Sequence, residues 1–224
     1  MFKTIISKAR SFVGNLTKTT EERRHKLVGN PSVWKYARDF QYNFLVDQGL
    51  QKSDKLMDIG CGTLRGGIPL IQYLESGNYY GIDVRENVLV EGRKGIKTAN
   101  LEAKNPNLIG FNEFSELKID HQFNIMFAFS VLIHFEDKIT ENCFEFVSKS
   151  LVKGGIFYAN VNIAEHENGK WDRFPIVFRS REFYENLANK NGLQVEVMGN
   201  LLSLGHDTGR KSDRQQIMFK FLKV

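Results

Sequence analysis

The chain has 224 residues, room for one sizeable α/β domain. Its 42% hydrophobic and 25% charged residues exclude disordered and collagen-like classes, and its two cysteines, Cys61 and Cys143, exclude a disulfide-stapled scaffold. The net charge of +5 is concentrated: Lys3, Lys8, Arg10 and Lys18 occupy an acid-free stretch over residues 1–20, so the remainder is nearly neutral and a nucleic-acid-binding surface is not expected.

Phe2, Ile5, Ile6, Ala9, Phe12, Val13 and Leu16 recur at helical spacing, with the lysines and Arg10 opposite them. A basic amphipathic helix of this kind suits an anionic membrane surface, an organelle transit peptide, or packing on the rest of the chain, and these readings stay open. No apolar run approaches the roughly 20 residues of a membrane span. The sparse cysteines fit a reducing, cytoplasmic setting. Asn30-Pro31-Ser32 punctuates the chain, dividing it into an extension over residues 1–30 and a domain over 31–224.

In the domain, Trp34, Ala37, Phe40, Phe44 and Leu45 predict a helix from Ser32 to Gln48, stopped by Gly49. Strands and helices then alternate. The predicted strands begin at Lys55, Asn78, Leu108, Phe123, Gly155, Leu193 and Gln216; helices are predicted from Leu64, Glu86, Lys138 and Ser180. Alternation implies βαβ units, hence a Rossmann-like, doubly wound, mostly parallel seven-stranded sheet. With no helix expected between them, the last two strands are predicted to form an antiparallel edge, the final strand running antiparallel.

The first strand runs into Asp58-Ile59-Gly60-Cys61-Gly62-Thr63-Leu64-Arg65-Gly66-Gly67. Gly60 and Gly62 permit a tight turn and close approach of backbone to a ligand. A nicotinamide dinucleotide turn would carry a third glycine where this chain has Arg65, and Asp58 would repel a pyrophosphate while attracting an ammonium. The second strand ends in Gly81-Ile82-Asp83, placing a carboxylate where such folds accept ribose hydroxyls.

Strand, Asp58-Ile59-Gly60-Cys61-Gly62-Thr63, helix, then Gly81-Ile82-Asp83 resembles the class I S-adenosylmethionine-dependent methyltransferases. Phe123 to His134 is similar to that family's fourth strand and its loop, and Leu151 to Gly155 to the turn before the fifth strand. The resemblance runs from about Lys55 to Ala159. It departs at Leu64, where the family carries a third glycine, and at Asn124, where an acid is common. It implies an S-adenosyl-L-methionine site made by Asp58, Gly60, Cys61, Gly62, Arg65, Asp83, Phe129 and Ser130, with Arg65 near the methionine carboxylate and Phe129 and Ser130 bordering the methionine part.

A sulfonium methyl is already activated, so the enzyme need only orient a nucleophile and exclude water, adding a base when the acceptor is a hydroxyl. His134, just beyond the fourth strand, is the candidate base; Asn160 and Asn162 are candidates to orient an acceptor hydroxyl. His206 reads first as part of a surface turn between Gly205 and Gly209 and second as part of the acceptor pocket, and Trp171, Phe174 and Pro175 as a lid or packing. No metal-ligand spacing is present. The chain lacks the Asn/Asp-Pro-Pro-aromatic tetrapeptide of many DNA- and protein-modifying relatives, which favours a small-molecule or saccharide acceptor. A non-catalytic binding protein of the same fold and a protein methyltransferase are the competing readings. The sequence is silent on oligomeric state.

Overall fold

The computed structural model describes residues 27–29, 31–164, 168–171 and 174–224, with the side chains of Pro31 and Trp171 set aside. The helix expected over residues 1–20 lies outside the described residues.

In chain order the elements are α1 (Trp34–Asp47), β1 (Leu56–Ile59), α2 (Gly67–Tyr73), β2 (Tyr79–Asp83), α3 (Glu86–Thr98), β3 (Asn107–Gly110), β4 (Phe123–Ala128), α4 (Asp137–Ser150) and β5 (Leu151–Ile163). There follow β6 (Gly169–Trp171), β7 (Phe174–Ile176), β8 (Phe178–Arg179), α5 (Arg181–Lys190), β9 (Leu193–Asn200), α6 (Ser212–Gln215) and β10 (Gln216–Lys223). The main sheet runs β3-β2-β1-β4-β5-β10-β9, with β8 pairing to β5 at Asn162 and Ile163, beyond its shared stretch with β4. From β3 to β5 every pairing is parallel, while β10 is antiparallel to both neighbours.

Strand residues alternate between two cores, as the period of two requires. Met57, Ile82, Met126, Phe157 and Phe219 face one side, covered by Phe144 and Val147 of α4 and Tyr184 and Leu187 of α5. Leu56, Tyr79, Phe127, Tyr158 and Met218 face the other, covered by Phe40, Phe44 and Leu45 of α1, Leu70 of α2, and Leu89 and Ile96 of α3. Both faces being covered explains why the central strands read as near-continuous apolar runs.

The last two strands form the expected antiparallel edge. In that edge β10 slots between β5 and β9, with Met218, Phe219 and Phe221 fully buried, and β9 is outermost. The sequence expectation differs from this architecture in two places. The hairpin of β6 and β7 was not foreseen, because strands of three residues carry too little pattern to be read. Helix α2 starts at Gly67 instead of Leu64, since the preceding residues are bent into a turn. Gly60, Gly62 and Leu64 all adopt left-handed backbone, with φ of 70°, 56° and 63°. Leu64 thus keeps the conformation that favours the family's glycine, at a cost of about 1 kcal/mol. Its side chain is completely buried and packs over Gly67 and Gly92, where no Cβ competes for the space.

Candidate active site

The strand order reverses at β1: β2 and β3 extend to one side, and β4 and β5 to the other. In such sheets the carboxyl ends of the strands around the reversal frame a crevice. Here that crevice is a cavity of about 1070 Å³. Asp58, Gly60, Cys61, Gly62, Arg65, Asp83, Phe129, Ser130 and His134 all line it. So do Leu27, Val28 and Gly29 from the described piece of the N-terminal segment.

The glycine turn is held tight. The Gly60 and Cys61 amides both donate to the Ile82 carbonyl, at 2.7 and 3.1 Å. A Cβ on Gly60 would stand 2.4 Å from Val131 Cγ2, and one on Gly62 would stand 2.6 Å from Val28 Cγ1. Cys61 contributes backbone to this wall; its thiol packs against Gly81, and burial keeps it protonated.

Asp58 is 3% exposed and accepts one hydrogen bond, from Tyr79 Oη at 2.7 Å. Burial pushes its pKa from 3.8 up to about 7; the Tyr79 hydroxyl opposes that rise, Asp83 adds to it, and Arg65 opposes it. Arg65 is itself buried, which lowers its pKa to about 10 against the pull of Asp58. Its Nη1 donates to the Val28 carbonyl at 3.3 Å, its guanidinium carbon lies 6.0 Å from the Phe129 ring centre, and its Nε is buried without a partner among the described residues.

Asp83 has a different environment. Its Oδ1 accepts from the Arg85 amide and Nε at 2.9 and 3.1 Å, and its Oδ2 accepts from the Gly62 amide and Arg85 Nη2 at 3.0 and 3.2 Å. Arg85 also donates through Nη1 to the Leu27 carbonyl at 3.1 Å and lies 5.5 Å from the Phe174 ring centre. The sequence reading missed this arginine, whose signal was its place two residues after the strand-end acid. Its fork on Asp83 is the two-point grip that a vicinal diol would otherwise make.

Ser130, two residues beyond β4, has φ of 58°, and its amide donates to Asn160 Oδ1 at 2.7 Å. Asn160 in turn donates to Gln216 Oε1, and Asn162 to the Val177 carbonyl, so both asparagines bind the chain itself. Asn124 holds the Lys55 amide at 2.9 Å.

Two histidines line the cavity. His134 closes the 3-10 turn Leu132–His134, where its Nδ1 meets the Pro175 carbonyl at 2.7 Å and its ring lies 5.6 Å from that of Phe174. A carbonyl only accepts, so Nδ1 carries the proton. Burial lowers the pKa of His134, with the carbonyl opposing and Arg85 adding. His206, for which a surface turn was the first reading and the acceptor pocket the second, is 8% exposed and lines the cavity. Phe40 of α1 and Phe129 after β4 flank its ring edge-on, 5.0 and 5.4 Å away. The turn signals Gly205 and Gly209 were real, but packing from two distant parts of the chain folds the loop inward.

Comparisons with known proteins bear on the family and the fold. A family described as a methyltransferase domain matches residues 57–157. The "Probable methyltransferase ltbC" of Aspergillus luteorubrus is 29% identical over 83 residues, 35% of this chain and less than a third of that protein's length. Among solved structures, magnesium protoporphyrin IX methyltransferase from Synechocystis with bound SAM superposes with a TM-score of 0.65 at 13% identity, covering 96% of each chain. An S-adenosylmethionine-dependent methyltransferase from Clostridium acetobutylicum gives 0.63 at 14% identity over 90% of this chain and 95% of that one. The glycopeptide N-methyltransferase MtfA with S-adenosyl-L-homocysteine gives 0.65 at 14%, over 84% and 90%. At such identities the structures testify to the fold.

Proposed function

Because this chain belongs to the class I S-adenosylmethionine-dependent methyltransferases, we propose that it methylates a small molecule or saccharide, and that its cofactor is held by the residues around the glycine turn. One observation carries the site assignment: two buried carboxylates, Asp58 and Asp83, face a single cavity across a bend of small residues. S-adenosylmethionine fits them in charge, since its ammonium suits a carboxylate that burial has pushed to about 7, and its ribose diol suits Asp83. Arg65, charged and with an unpartnered buried Nε, suits the methionine carboxylate. When bound, the cofactor supplies an activated methyl group; the chain's part is to orient the acceptor and keep water out.

The cavity volume supports a small acceptor. About 1070 Å³ is the size of a pocket that takes one or two small molecules, and the Phe174–Ile176 strand and the β9–β10 loop wall it in. Isothermal titration tests the reading: S-adenosylhomocysteine binds and NADH does not. Tritiated-methyl transfer is expected in the small-molecule fraction of a lysate, abolished by Asp58→Ala. Label in the protein fraction alone would favour the protein-acceptor reading, and binding with no transfer anywhere would favour a non-catalytic relative.

We also propose a cytoplasmic enzyme whose basic segment over residues 1–20 touches anionic membranes. Among the described residues no helix is long and apolar enough to cross a membrane. Sedimentation with phosphatidylserine vesicles, retained by the full chain and lost on deleting residues 1–20, is the expected result.

A further inference from the structure

His206 and Asp213 make a paired constellation that the cofactor assignment does not use. His206 Nδ1 lies 3.0 Å from Asp213 Oδ1. Asp213 is 2% exposed, and its other oxygen accepts from the Thr208 amide and hydroxyl, at 2.8 and 2.7 Å, and from the Arg210 amide at 3.2 Å. These three donors, added to His206, hold the carboxylate ionised: they outweigh its burial and lower its pKa. An ionised carboxylate only accepts, so it fixes the proton on Nδ1 and leaves a lone pair on Nε2. That Nε2 is buried without a hydrogen-bond partner among the described residues, in a side chain that lines the cavity. A buried acceptor of this kind is costly unless something donates to it.

Location separates His206 from His134. The charged neighbour of His134 is Arg85, which grips Asp83. The charged neighbour of His206 besides Asp213 is Arg65, and its ring packs on Phe129, where the methionine part of the cofactor is expected to lie. From α1 it meets Phe40, which carries no charge.

We propose that His206, oriented by Asp213, takes the acceptor's proton at Nε2, and that the acceptor group is a hydroxyl. This rests on the cofactor reading above. As the acceptor oxygen gains its bond to the methyl carbon, the electron pair of the broken carbon–sulfur bond stays on sulfur and the hydroxyl proton passes to Nε2. The resulting imidazolium is balanced by Asp213. Burial and Arg65 lower the pKa of His206, so it is neutral at pH 7 and returns the proton to solvent.

The test needs no identified acceptor. Nitrogen-15 spectra of the five histidine side chains are recorded against pH in the full chain, first with S-adenosylhomocysteine and then with sinefungin, which places an ammonium where the cofactor carries its methyl. His206→Gln assigns the signal, and Asp213→Asn provides a second assignment should that variant not fold. The expected result is an Nδ1-protonated His206 whose pKa falls by about one pH unit from the first complex to the second, as for a unit charge about 6 Å away at an effective dielectric of about 40. Asp213→Asn should erase the tautomer preference. An Nε2-protonated ring, an equal pKa in both complexes, or a response confined to His134 would overturn the proposal. If neither compound binds, the cofactor reading itself fails; if both bind and His206 stays silent, only this inference does.

Discussion

The cavity has two polar corners built from the same materials, a carboxylate and an arginine, and they are in opposite states. At the corner proposed for the ribose, Asp83 accepts four hydrogen bonds, and Arg85 is tied to Asp83, Leu27 and Phe174. The chain has satisfied this corner by itself. At the corner proposed for the methionine part, Asp58 accepts one hydrogen bond, while Arg65 Nε and His206 Nε2 are buried and unpartnered among the described residues. The first corner is built as a latch across three chain segments. The second keeps open the hydrogen-bonding capacity that a zwitterionic ligand and an acceptor hydroxyl would fill.

The largest expected effect breaks the ribose corner. Asp83→Ala removes both the diol's partner and the group that holds the Gly62 amide. S-adenosylhomocysteine affinity, by titration calorimetry, should drop about 100-fold, near 2.7 kcal/mol, the worth of charge-assisted hydrogen bonds. Gly60→Ala strikes the hinge between the corners, where the new Cβ meets Val131 at positive φ. It should destabilise the fold by about 2 kcal/mol and lower Tm by roughly 5 °C in a thermal melt.

Proton linkage sharpens the methionine corner. The free-protein pKa of Asp58 is about 7, and a bound ammonium would lower it. Binding below pH 7 therefore releases a proton, and affinity falls as pH drops, by up to about tenfold per unit. Titrations at pH 6 in buffers of different ionisation enthalpy should register that proton, and Asp58→Asn should abolish it. The smallest effect separates latch from binding site. Arg85→Ala frees Asp83 for the diol, so S-adenosylhomocysteine should bind about fivefold more tightly, roughly 1 kcal/mol. Weaker binding would mean that Arg85 helps to hold the ligand.

Much of this was legible in the sequence, because its determinants are local. The strand-turn-helix around Gly60 and Gly62 and the acid ending β2 lie within 26 residues of one another, from Asp58 to Asp83, and strand and helix periods locate the rest of the doubly wound sheet. What stayed hidden depends on distant packing. His206 is buried by Phe40 and Phe129 and oriented by Asp213, contacts that appear only once the sheet closes. Arg85 reads as a surface residue until Leu27 and Phe174 come to it. The alternation pattern gave the antiparallel edge but not its internal order, in which β10 lies inside and β9 outermost.

The central claim is that Asp58 and Asp83 hold an adenosyl amino acid between them. A crystal structure with S-adenosylhomocysteine tests it most directly. The account predicts the ribose diol on Asp83 in place of the Arg85 fork, and the ligand's amino group within about 3 Å of Asp58, directly or through one water. A ligand bound elsewhere, or bound here with neither carboxylate touching it, would contradict it.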